Sequence, residues 1–323
     1  MTLPSTVPLK VVALGGGHGL AATLSALRQL TSELTAIVTV ADDGGSSGRL
    51  RSEFDIIPPG DLRMALAALC AEEASGWADV IQHRFPGDGP LSGHAVGNLL
   101  LAALWQLRGD PVAGLDAVAA LLHLHGRVLP MAALPLSIHA RVRGEDQVER
   151  LVQGQVAVAS AQGEILSVAL EPADPPARPE ALAAISAADW ITVGPGSWYS
   201  SVLTHLLVPE QMQALRTTTA RRILIPNIVR PGDQGDETRE EPAEILLEVL
   251  ERHAPGLSFD VVLVDPVAVM DSARLATAAA RLGARVVLGD MSSSDGSARH
   301  DPDRLAAALR EIIFKTDKMA PWQ

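Results

Sequence analysis

The chain has a single cysteine, Cys70, among 323 residues. That leaves no intrachain disulfide and no zinc site built on thiolates. With Leu66 and Leu69 beside it, Cys70 reads as a buried helical thiol. Aromatic residues are only 3%, too few for the rows of stacking side chains that grip single-stranded nucleic acid. No long basic run occurs, and 26 basic residues face 38 acidic ones, for a formal net charge of −12. This argues against nucleic acid and anionic membrane as main partners. Residues 1–8 carry no basic cluster ahead of an apolar stretch, so no signal peptide is expected. The apolar runs are broken by Gly, Pro or charge well short of bilayer length. A cytoplasmic protein without membrane insertion is the expectation.

What is present is a large apolar fraction, 47%, enough for a sizeable core. Residues 10–14 and 35–40 read as strands, apolar on both faces, with a glycine turn and a helix over 21–30 between them. This is a βαβ unit of a buried parallel sheet. Helices are expected over 61–71, 95–107, 112–122, 181–188 and 302–314. Strands are expected over 190–193, 222–226, 261–264 and 285–288. Between about 130 and 170 the texture changes to short alternating runs such as 137–142 and 155–159, read as a small β insert. Residues 172–179 hold four prolines and read as a loop. The alternation predicts an α/β fold: one Rossmann-like, doubly wound, mostly parallel sheet with helices on both faces, as a single domain over 1–323.

The most informative segment runs from Asp42 to Arg51. It follows the apolar strand ending at Val40 and sits at a strand's C-terminal edge, where open α/β sheets bind ligands. Asp42 and Asp43 suit ribose hydroxyls, or a metal bridging phosphates if the protein is a transferase. Gly44, Ser46, Ser47 and Gly48 offer hydroxyl and amide donors, and Arg49 and Arg51 suit bidentate phosphate binding. The reading is of a loop shaped around a phosphate-bearing ligand. Upstream, Gly15, Gly16, Gly17, His18, Gly19 and Leu20 form a glycine turn between strand and helix. Gly17, Gly19 and Ala22 fit the loose dinucleotide pattern, with Asp42 about twenty residues on. Glycines there let the backbone approach a pyrophosphate.

Companion segments follow. Gly60, Asp61 and Arg63 open a helix, with Asp61 placed as its N-cap and Arg63 poorly placed against the helix dipole unless an anion sits nearby. His94 and Asn98, four apart, share a helical face. Gly194, Gly196 and Ser197 form another strand-end glycine loop, and Asn227 closes a later strand. His123 and His125 lie in an apolar run and read as structural. No nucleophile–base pair can be assigned, which favours a binding protein over an enzyme.

The ordered motifs are Gly15–Leu20 with its glycines, Ala41 to Arg51, Pro59-Gly60-Asp61-x-Arg63, Gly93-His94-x-x-Gly97-Asn98-Leu99 and Gly194-Pro195-Gly196-Ser197. Together they resemble the YvcK-like gluconeogenesis factors of the CofD-like (2-phospho-lactate transferase) superfamily. The resemblance spans nearly the whole chain. It implies a Rossmann-like fold and binding of UDP-N-acetylglucosamine, with no cofactor required. It also implies a cytoplasmic role in cell shape, peptidoglycan synthesis and growth on gluconeogenic carbon. A homodimer and cell-wall synthesis proteins are the candidate partners, and NAD is a candidate for the same pocket. Arg299, within a late Arg-His-Asp, is implied to help hold the nucleotide-sugar.

The transferase branch implies the alternative function. There, a phospholactyl-type group passes from a guanosine diphosphate donor to a deazaflavin acceptor of coenzyme F420, with Mg. The Gly-Gly-Ser-Ser-Gly-Arg run resembles the YvcK branch more closely. The chain departs from the family pattern at His18 (usually Thr), Met64 (usually Asn) and Ala95 (usually Ser). Residues 232–237 keep its Pro-Gly-x-x-x-Asp flavour without the Tyr and His that usually follow.

Overall fold

The computed structural model describes residues 8–228 and 241–315. The segment 232–237 therefore lies outside the described residues. In chain order the elements are β1 (Val11–Gly15), α1 (Gly17–Leu27), β2 (Leu34–Val38), α2 (Gly45–Phe54), α3 (Gly60–Leu69), α4 (Ser75–Gln82), α5 (Val96–Arg108) and α6 (Pro111–Leu121). Then come β3 (Arg127–Pro130), β4 (Ser137–Arg143), β5 (Glu149–Gln153), α7 (Gln155–Ala159), β6 (Glu164–Glu171), α8 (Pro179–Ala187) and β7 (Trp190–Val193). The chain continues through α9 (Leu203–Leu206), α10 (Pro209–Thr217), β8 (Arg221–Leu224), α11 (Ala243–His253), β9 (Val261–Val264), α12 (Ser272–Arg281), β10 (Arg285–Leu288) and α13 (Pro302–Lys315).

Seven strands form one sheet in the order β10-β9-β8-β7-β1-β2-β3, and every pairing in it is parallel. All residues of β1, β7 and β9 are buried, which explains their apolar runs without alternation. Each such Val, Leu or Ile contributes roughly 1.5–3 kcal/mol by leaving water. In α1, Leu20, Leu24 and Leu27 fall at helical spacing and are all buried, so one stripe packs inward and the helix forms around it. α1 packs against α3 and α13. The α/β Rossmann-like architecture is the expected one.

A second, antiparallel sheet of order β5-β4-β6 makes up the insert. Residues 155–159, expected as part of its strands, are instead the helix α7. The run alternates, but its partner is not a strand. Asp43 holds its first amides, and local hydrogen bonds complete the turn. Helix α4 and its Trp77 had no place in the sequence expectation. No helix among the described residues is long and apolar enough to cross a membrane.

Candidate functional site

Strand order reverses at β1: the chain passes from β1 to β2 on one side, while β7 lies on its other side and leads to β8. The C-terminal ends of β1 and β7 therefore open a crevice, the place where doubly wound sheets bind ligands. The two glycine segments meet there. A Cβ on Gly19 would lie 2.5 Å from the Pro195 carbonyl oxygen, and one on Gly16 would lie 2.5 Å from Asp61 Oδ2. Only glycine permits that approach. Gly194 also holds φ +76°. Asn227 Oδ1 accepts the Gly196 amide at 2.8 Å and pins the second loop.

His205, which carried no signal in the sequence, supports the first loop from beneath. It is fully buried, its Nε2 donates to the Gly15 carbonyl at 3.1 Å, and Gln211 Nε2 donates to its Nδ1 at 2.9 Å. Burial lowers its pKa to about 4, so the ring is neutral.

Above these loops lies a cavity of about 720 Å³. Gly17, His18 and Ser197 line its base, and Asp42, Gly44, Gly45, Ser46 and Ser47 one side. Gly60, Asp61, Arg63, Met64 and Arg84 line another side, and Gln155, Val156, Ala159 and Ser160 of the insert close it. Arg84 and the four insert residues were missed in the sequence, because none belongs to a motif. The insert reaches the cavity only through tertiary contact.

The acidic-glycine-serine segment is not a loop throughout. From Gly45 it is helix α2, with Gly44 at the N-cap and no side chain capping its first amides. The Gly48 amide closes the first turn onto the Gly44 carbonyl, and buried Leu50 ties the helix to the core. An uncapped helix start presents free N–H groups and a positive dipole end, a ready anion site. α3 begins beside it: a Cβ on Gly60 would collide with Ser47 Oγ.

Asp61 is not the N-cap of α3. Pro59 occupies that position, and no side chain caps the helix. Gly60 lets the two helix starts pack closely, so the Asp61 carboxylate reaches across to accept the Gly17 amide. Burial first, and the neighbouring Asp42 charge second, push the Asp61 pKa up to about 7. Burial also raises that of Asp42, against bonds from the Gly44 amide and Ser47.

Arg63 is 3% exposed, and its Nε has no hydrogen-bond partner among the described residues. Burial and the like charge of Arg84 lower its pKa to about 10. Burial also lowers that of His18, helped by the charges of Arg299, Arg63 and Arg84. Arg299, Arg63 and Arg84 thus converge electrostatically on the first glycine turn.

Several expected contacts do other work. Asp43 does not face the cavity. Its two oxygens accept the amides of Gln155 at 3.0 Å and Val156 at 3.3 Å. Of the two carboxylates read as a possible metal pair for a transferase, Asp42 lines the cavity, whereas Asp43 is bound to the first amides of α7. Among the described residues no cluster of three His, Cys, Asp or Glu side chains is placed to hold a metal. Arg51 turns away along α2 and donates to the Leu136 carbonyl at 2.6 Å and Ser137 Oγ at 2.8 Å. Arg49 donates to the Ser92 carbonyl at 2.6 Å. His94 and Asn98 stand behind Ser46, each 3.0 Å from its hydroxyl. Gly48 is needed for backbone packing, because a Cβ there would collide with the Asp43 carbonyl. Leu20 is a core residue.

A Rossmann-like protein whose topological switch point opens into a polar cavity lined by Arg63, Arg84, Asp42 and Asp61 is the class these features define. The family described as 2-phospho-L-lactate transferase CofD matches residues 11–302. Over 324 residues the chain is 49% identical to a Mycobacterium leprae protein named "Putative gluconeogenesis factor", covering 97% of this chain and 89% of that one. It is 35% identical to the gluconeogenesis factor of Listeria innocua, covering 94% and 95%. A crystal structure of a UPF0052 family protein from Bacillus halodurans superposes with a TM-score of 0.83 at 36% identity, covering 94% of this chain and all of that one. The chain belongs to the CofD family, and the relatives named here are gluconeogenesis factors.

Proposed function

We propose that the cavity binds a nucleotide-sugar, UDP-N-acetylglucosamine, and that the protein is a cytoplasmic binding regulator of cell shape, peptidoglycan synthesis and growth on gluconeogenic carbon. Arg63 carries this reading: a buried guanidinium with an unpartnered Nε, beside the uncapped start of α2. A buried cation of this kind calls for an anion, and a diphosphate meets both the cation and the helix start. The cavity volume falls within the range of small-molecule sites. The relatives' name supports the gluconeogenic role, and the motif resemblance supports the ligand. NAD would compete for the same cavity as the weaker ligand.

Titration calorimetry of the whole protein with UDP-N-acetylglucosamine tests the proposal. Saturable heat that survives excess NAD is expected; no saturable heat would overturn it.

A second reading, the F420-type transferase, is favoured by the family match and by Asp42 and Asp61. These two carboxylates both line the cavity and repel each other. A divalent cation between them would relieve that repulsion and supply Lewis-acid assistance. Product formation from a lactyl-diphosphoguanosine donor, a deazaflavin and Mg would establish it. Loss of that turnover in Asp61→Asn, with the fold retained, would place the carboxylate in the chemistry.

A further inference from the structure

The sequence shows no nucleophile beside a base, yet the fold brings Ser46 and His94 together across 48 residues. Ser46 lies in the first turn of α2 and lines the cavity. His94 lies just ahead of α5, and Asn98 lies in its first turn. Ser46 Oγ is 3.0 Å from His94 Nδ1, and Asn98 Nδ2 is 3.0 Å from the same oxygen. With its Nδ2 facing Ser46, Asn98 can only donate, so it occupies a lone pair of Oγ and leaves the hydroxyl proton for His94. That requires the neutral imidazole. Burial and the Arg49 guanidinium hold the His94 pKa below its ordinary value, with Glu53 pulling the other way.

The three side chains are 4%, 6% and 1% exposed, so the geometry is held by packing. The positive end of α2 favours an alkoxide on Oγ. A hydroxyl within hydrogen-bond reach of a neutral base is the arrangement of an activated nucleophile.

We propose that Ser46 is a nucleophile activated by His94, and that the cavity supports covalent phosphoryl transfer from a phosphoric anhydride. Oγ attacks a phosphorus held at the start of α2. The Oγ–P bond forms and the bridging P–O bond breaks. Its electron pair leaves on the departing phosphate, and the serine proton passes to His94 Nδ1. Water then splits the ester, giving hydrogen to Oγ and hydroxyl to phosphorus, and His94 releases its proton to solvent. Arg63 and Arg84 line the same cavity and balance the phosphoryl charge. This inference needs a phosphate in the cavity but no particular nucleotide.

The test uses a fluorophosphonate on the whole protein, where the Oγ–P bond replaces the P–F bond, fluoride leaves and the proton goes to His94. Peptide mapping by mass spectrometry should find stoichiometric label on Ser46 and none on that site in Ser46→Ala. His94→Gln should label roughly 100-fold more slowly, the usual scale for a lost general base. In the unaltered protein the labelling rate should rise with pH through the acid range and level off once His94 is neutral. Absence of label on Ser46, an equal rate in folded His94→Gln, or a flat pH profile would each overturn the proposal. Adding UDP separates the two readings. Labelling that UDP does not slow would count against the nucleotide site while leaving Ser46 a nucleophile.

Discussion

The carboxylate of Asp43 accepts the amides of Gln155 and Val156, 112 and 113 residues further along the chain. It acts as a remote cap for α7, a helix of only five residues whose own N-cap, Gly154, has no side chain to do so. Gly154 is held close by the same contact: a Cβ there would collide with Asp43 Oδ2. The segment after β2 is thereby tied to the insert that closes the cavity.

Replacing Asp43 with Ala should therefore release α7 before it disturbs the main sheet. Loss of a helix cap costs about 0.5–2 kcal/mol. Hydrogen exchange should show faster exchange at the Gln155 and Val156 amides, with β1 and β7 unchanged. Unchanged protection at those amides would show the cap to be dispensable.

Arg63 should dominate affinity for a phosphate-bearing ligand. A hydrogen bond to a charged group is worth about 1.5–3 kcal/mol, or roughly 10- to 100-fold in dissociation constant. Calorimetry on Arg63→Ala should show that loss, and Arg63→Lys should recover only part of it, because an ammonium lacks the planar fork.

Arg51 should behave in the opposite way. Its bonds to the Leu136 carbonyl and Ser137 Oγ join α2 to the start of β4. Arg51→Ala should lower unfolding stability by about 1–3 kcal/mol and leave ligand affinity close to that of the unaltered protein. Denaturant melts paired with calorimetry separate the two effects, and a selective loss of affinity would return Arg51 to the binding site.

Asp61 should give the protein a pH-dependent stability. Its folded pKa, about 7, lies above the ordinary 3.8, so the folded state holds its proton more tightly than the unfolded chain does. The stabilisation is complete below pH 3.8 and is lost as pH rises to about 7. Denaturation midpoints over that window should fall with pH in the unaltered protein more than in Asp61→Asn. Anion affinity should instead weaken only as pH passes through about 7, where the folded carboxylate ionises beside the cavity.

Much of the fold was legible because its signals are local. The apolar runs of β1, β7 and β9 announce a sheet buried on both faces, and Leu20, Leu24 and Leu27 fit one stripe of a helix. The glycine segments after β1 and β7 were legible as strand-end loops, and residues of both line the cavity. Local signals failed where a distant partner decided the outcome. Residues 155–159 alternate like a strand, yet they form α7 under Asp43. Asp61 has the position of a cap, yet it bonds Gly17. Arg51 looks like a phosphate ligand, yet α2 carries it toward β4.

By itself, the sequence determined the architecture and the family. Periodicity and glycine spacing express short-range backbone preferences that need no partner. The tertiary structure alone decided which polar groups face the cavity and which brace its walls. It set Arg84 and the insert beside the cavity, buried Arg63 with Nε unpartnered, and brought His94 to Ser46. Those outcomes follow from burial and long-range contact, where a side chain's role depends on neighbours tens of residues away in the chain.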